Sequence, residues 1–85
     1  MDKVLIEIQC PAASRSYDFW APKTMKVARL LERAIREIEQ YEDNAELFDT
    51  DRVNALFHIG RQTLLNPKLT VTEAGIASGD ALILI

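Results

Sequence analysis

Cys10 and His58 are the only cysteine and the only histidine of this chain, so any nucleophilic or metal chemistry has to start from them. A thiol nucleophile needs a neighbouring base that a third group holds in place. Cys10 opens a turn-like CPAASR segment, His58 sits in an apolar strand-like run, and no residue is spaced to orient the pair. A metal centre needs three or four protein ligands, and neither residue has ligand spacing around it. His58 therefore reads as a strand histidine, not a ligand. Residues 42–52, EDNAELFDTDR, hold five acids in eleven residues, which suggests a calcium loop. The run lacks the central glycine and the final bidentate glutamate that a calcium-binding loop uses. Gly60, Gly75 and Gly79 are isolated and form no phosphate-cradling loop. No catalytic, cofactor-binding or metal-binding residue is expected, and no enzyme signature is present.

Composition narrows the classes further. Eighty-five residues make one domain, taken as residues 1–85, with room for one core and no deep cleft. A formal net charge of −3 offers no global basic field for nucleic acid or anionic lipid. One cysteine cannot form an internal disulfide and suits a reducing compartment. Asp2 and Lys3 follow Met1 where a signal peptide would carry an apolar run. No stretch reaches the ~20 apolar residues of a membrane helix, so direct membrane insertion is not expected.

The elements that must position the side chains follow from periodicity. Val4, Ile6 and Ile8 alternate with Leu5, Glu7 and Gln9, the period of a strand. Ser16 to Ala21 is a second strand, with Tyr17 and Phe19 on one face and Asp18 and Trp20 on the other. Pro22 ends it, and Thr24 is the expected N-cap of a helix running to Tyr41. Val27, Leu30, Leu31, Ala34, Ile35, Ile38 and Tyr41 follow the spacing of an amphipathic helix. Glu32 with Arg36 and Arg33 with Glu37 stand at i, i+4 on its polar face. Leu47 and Phe48 are expected to tuck onto the core. Val53 to Ile59 reads as a third strand and Thr63 to Leu65 as a short fourth. Thr70 or Thr72 would cap one helical turn closed by Gly75, Ile76 would plug the core, and Ser78-Gly79-Asp80 would turn the chain into a last strand, Ala81 to Ile85.

This order of elements, with the closing segment LTVTEAGIASGDALILI, resembles the ubiquitin-like β-grasp. The closer resemblance is to the YukD/EsaB family of bacterial ubiquitin-like proteins. Leu69, Ala74 or Gly75, Ile76, Gly79, Asp80, Leu82 and Leu84 stand where that family's closing pattern has its core and turn residues, and YDFWAPKTMKVARLLERAI looks like its second strand and helix. The resemblance implies an α+β fold: a mixed sheet in the order 2-1-5-3 with a short fourth strand, and one helix across one face. It implies a non-conjugating, non-enzymatic accessory or regulatory component of a type VII (WXG100, ESX-like) secretion system. Such a protein is cytoplasmic and peripheral to the membrane complex. Related domains also occur fused to membrane components.

In that fold, Leu5, Trp20, Phe57 and Ile83 come from four neighbouring strands and face away from the helix, as an apolar stripe. Ubiquitin uses the same face for most of its partners, and an exposed patch of this kind marks an interaction site. The expected occupant is a protein, either a secretion-machine component or a second copy in a homodimer. Phe57 faces outward if Leu56 and His58 face in, the ubiquitin-like register. The opposite phase, with Val53, Ala55, Phe57 and Ile59 inward, would bury more apolar surface, and a one-residue slip separates the two. Two other functions compete. A sulfur carrier or protein modifier needs a tail ending in Gly-Gly; the sequence here ends in a strand at Ile85, and a native chain extending to Gly-Gly would have that function. A generic ubiquitin-like binding domain of a larger protein would show the same sheet.

Overall fold

The structure, a computed structural model, describes residues 2–48 and 53–85. β1 (Lys3–Cys10) turns through a short 3-10 segment, Pro11–Ala13, into β2 (Arg15–Pro22). Ser14 adopts a left-handed conformation at φ 55° and its amide bonds back to the Pro11 carbonyl, which brings the chain round. A helix, α1 (Val27–Tyr41), follows; then β3 (Leu56–His58), β4 (Thr63–Leu64) and β5 (Ala81–Leu84). The strand order is β2-β1-β5-β3-β4. β1 and β5 run parallel and the other pairs antiparallel, so the sheet is mixed.

The core lies between α1 and one face of the sheet. The helix buries Val27, Leu30, Ala34 and Ile38, a narrower stripe than its sequence spacing allows. Leu31 and Ile35 are half-buried, and Tyr41 is exposed against the edge of Tyr17. From the sheet come Val4, Ile6, Ile8, Phe19, Ala21, Leu56, Leu82 and Leu84. Ile76 is buried among them, and Leu47 and Phe48 pack on the rim of the core. Cys10 is not in the turn. It is the last residue of β1, faces the core and is fully buried.

The helix begins later than the sequence suggests. Thr24 does not cap it; the first non-helical position is Lys26, with no side-chain cap. The free amides of the first turn are bonded elsewhere: Val27 donates to the Leu69 carbonyl at 2.8 Å and Ala28 to that of Pro67 at 3.0 Å. Backbone carbonyls of the 66–69 loop satisfy the amides that a threonine hydroxyl would otherwise take. On the polar face Arg33 pairs with Glu37 at 2.7 Å, whereas Glu32 pairs with Arg29 instead of Arg36.

After β4, Thr70 and Glu73 form a reciprocal capping box. The Glu73 amide donates to Thr70 Oγ1 at 3.1 Å, and the Thr70 amide donates to Glu73 Oε1 at 2.9 Å. The turn ends at Gly75, whose φ of +74° is a conformation that side-chain-bearing residues rarely adopt.

Candidate interaction face

β3 is shorter than Val53 to Ile59, and its phase is now fixed. Leu56 and His58 point into the core and Phe57 points outward, opposite Ile83 on β5 and Leu64 on β4. The alternative phase fails at its first residue, since Val53 is 91% exposed. Ala55 lies outside β3 but exchanges two backbone bonds with Ile85, both at 2.9 Å.

Among the described residues His58 is the one polar side chain of the core, and its bonds explain how it is accommodated. The Arg61 amide donates to Nδ1 at 3.2 Å, so the ring proton lies on Nε2, which donates to Asp80 Oδ2 at 2.9 Å. The same carboxylate oxygen accepts the Ala77 amide at 2.8 Å. Desolvation pulls the Asp80 carboxyl upward. The bonds from Ala77 and His58, helped by the Arg61 charge, outweigh that pull and hold it below the ordinary aspartate range. This knot fixes the 77–80 turn, and that turn fixes the register of β5 on β1: Gly79 donates to the Leu5 carbonyl at 2.8 Å and the Leu5 amide donates to Ser78 Oγ at 3.1 Å. His58 and Cys10 are not brought together as a reactive pair by any contact in the structure. Among the described residues no group of three histidine, cysteine or acidic side chains could hold a metal ion.

The outer face carries all four side chains singled out in the sequence, in a different arrangement. Leu5 stands opposite Trp20, and both are exposed, at 37% and 46%. Ile83 stands opposite Phe57, both half-buried. Ile83 is level with Gln9, so it lies four residues further along the sheet than Leu5, a step of about 13 Å at ~3.3 Å per residue. The row between holds Asp18, Glu7 and Ala81. The stripe is thus two apolar clusters at diagonal corners, divided by two carboxylates. The second cluster is larger than the sequence reading gave. Leu64, 59% exposed, extends it from β4, and Ile85 extends it at the far end.

Glu7 and Asp18 are direct cross-strand partners, and neither has an ion-pair partner within 4 Å among the described residues. Like charges placed opposite one another destabilise a sheet. Glu7→Thr is therefore expected to raise stability by about 0.5 kcal/mol. The gain should be larger at low than at high salt. Urea denaturation at two ionic strengths checks this; no gain at low salt would contradict the opposition.

In sequence comparisons no protein-family model and no curated protein matches this chain. Solved structures do. The EccD5 ubiquitin-like domain from Mycobacterium xenopi superposes with a TM-score of 0.79 at 18% identity, covering 100% of this chain and 94% of that one. The ubiquitin-like domain of the Mycobacterium tuberculosis type VII secretion system protein EccD1 matches with a TM-score of 0.74 at 18% identity, covering 100% and 99%. A ubiquitin-like protein from Trypanosoma brucei matches at 0.70 and 14% identity, covering 99% and 94%. Among the described residues no helix is long and apolar enough to cross a membrane. With one helix packed across a sheet ordered 2-1-5-3-4 and these neighbours, the chain has the ubiquitin-like β-grasp fold, which the EccD ubiquitin-like domains share.

Proposed function

We propose that this chain is a non-catalytic, non-conjugating ubiquitin-like interaction domain of a type VII secretion system, working in the cytoplasm beside the membrane complex. The observation that carries the proposal is the outer sheet face, where Trp20, Leu5, Phe57, Leu64 and Ile83 expose apolar surface that the fold itself does not need. Large apolar side chains gathered on one solvent face favour a protein partner. The likeness to the two mycobacterial domains over nearly their whole length supports the secretion setting.

The partner is a component of the secretion machine. A homodimer through the centre of this face would bring Glu7 and Asp18 of one copy against those of the other, a repulsion that the flanking apolar contacts would have to overcome. Affinity purification of the tagged chain from its native cells, with Phe57→Ser as control, tests the reading. The expected result is recovery of secretion-machine components by the wild type and their loss in the variant. Recovery of the same set by both would contradict it, as would a gene neighbourhood without WXG100 substrates and an FtsK/SpoIIIE-type ATPase.

A further inference from the structure

The four lysines of the sequence lie far apart along the chain, and the fold gathers them at one end of the sheet. Lys3 opens β1 opposite Pro22, the last residue of β2. Lys23 follows directly, its amide bonded to the Asp2 carbonyl and its carbonyl accepting the Thr72 amide. Lys26 bridges to Thr70, and its Nζ donates to the Lys68 carbonyl at 2.9 Å. Acids collect at the other end. Glu42 accepts from Tyr17 and pairs with Arg15, at the start of β2, and Asp43 and Glu46 follow it. β2 is eight residues long, so its two ends are about 23 Å apart. Asp2 and Glu73 lie at the same end as the lysines, so four lysines stand there against two acids, and a chain with an overall negative charge presents a local positive pole.

At that pole a cleft of about 530 Å³ opens between the Trp20 end of the sheet and the 72–78 segment. Val4 and Ile76, both buried in the core, line it together with Trp20. Lys3 and Lys23 supply two ammonium groups, and Thr72 and Ser78 two hydroxyls. Among the described residues no carboxylate lines the cleft. Glu73, the acid next to Thr72, is held by its capping bond to the Thr70 amide, and neither Lys3 nor Lys23 has an ion-pair partner within 4 Å among the described residues.

We propose that this cleft is the docking site for an acidic peptide segment of a protein partner, with an apolar side chain seated against Trp20 and a carboxylate between Lys3 and Lys23. The inference rests on the reading of Trp20 as part of a protein-docking face and gives that partner its charge. The acidic run Glu42–Glu46 of a second copy is the poorer occupant: Glu42 is held by Tyr17 and Arg15, and Leu47 and Phe48 are packed on their own core. Complementary charge across an interface sets partner choice and speeds encounter, and the aromatic anchor supplies affinity.

Trp20 is the chain's only tryptophan, so its fluorescence reports the cleft directly. Three probes separate the possible occupants: the peptide acetyl-Asp-Glu-Leu-Phe-Glu-Asp-amide, its lysine counterpart acetyl-Lys-Lys-Leu-Phe-Lys-Lys-amide, and vesicles of phosphatidylserine with phosphatidylcholine. The acidic peptide is expected to shift the Trp20 emission with a saturable, salt-sensitive curve, and the lysine peptide is not. The double variant K3E/K23E should lose more than tenfold in affinity for the acidic peptide, K3Q/K23Q less, and Arg36→Gln, on the exposed face of α1, nothing. No response to the acidic peptide, an equal response to the lysine peptide, unchanged affinity in K3E/K23E or a response to vesicles alone each overturns the proposal. An intact peptide response in a chain whose Phe57→Ser variant still captures the partner would instead overturn the sheet-face reading and leave the cleft standing.

Discussion

Trp20→Ala is expected to weaken partner association more than tenfold while leaving the fold intact. The indole is 46% exposed on an edge strand and points away from α1, so its removal leaves no cavity in the core. Burying a side chain of this size against a partner is worth up to about 3 kcal/mol, and a tenfold loss needs only about 1.4 kcal/mol. Tryptophan also tends to dominate interfaces of this kind, which places the expected effect above that of Leu5 or Ile83. Association measured by sedimentation or biolayer interferometry, with circular dichroism as the folding control, decides the matter. Unchanged affinity would remove Trp20 from the interface. Lost secondary structure would show that the indole supports the core.

The second large effect is on stability. Asp80→Ala removes the only partner that His58 Nε2 and the Ala77 amide have among the described residues. Leaving a buried donor unpaired costs about 1–3 kcal/mol, and His58 is only 4% exposed. The variant should therefore unfold at markedly lower urea than the wild type. The pH dependence has a definite sign. A carboxyl held below its ordinary value of 3.8 in the folded state contributes stability that is complete above that value, and the contribution is lost as pH falls through the lower, folded value. Wild-type stability should thus fall below about pH 4, and Asp80→Asn should flatten that part of the profile. An Asp80→Asn profile as steep as the wild type's would assign the acid sensitivity to another carboxyl.

The fold was largely legible because turn chemistry and periodicity agreed along the chain. Gly75, the Ser78-Gly79-Asp80 turn and the alternation of Val4, Ile6 and Ile8 each pointed to one arrangement, and each stands where it was expected. Element ends were less legible. Thr24 has the right chemistry for a cap, yet the 66–69 loop, forty residues on, takes the amides first. Local sequence carries no sign of that competitor. The β3 phase could be chosen only from the resemblance, because buried area alone favoured the wrong set, with Val53 inward.

The outer face shows the same limit. The four apolar residues face one way as expected, but the hairpin register interleaves Glu7 and Asp18 between them. That opposition could have been read from the turn, since pairing Cys10 with Arg15 fixes every later pair. The lysine cleft could not. Lys3 and Lys23 meet Thr72 and Ser78 only because β5 runs parallel to β1 and carries the 72–78 segment to the same end of the sheet. The acidic run invites a calcium reading that belongs partly to residues 49–52, outside the described residues. Within its described part Glu42 is engaged elsewhere: it accepts from Tyr17, whose phenol is pushed up to about 12 by desolvation and by that carboxylate.

Under the proposed function, the outer face of the sheet docks a component of the secretion machine. Photocrosslinking in the native cells tests it most directly, with p-benzoylphenylalanine placed at position 57 on the outer face or at position 36 on the exposed face of α1. An adduct with a secretion-machine component is expected from position 57 and none from position 36. Adducts from position 36 alone, or from position 57 only with a second copy of this chain, would contradict it.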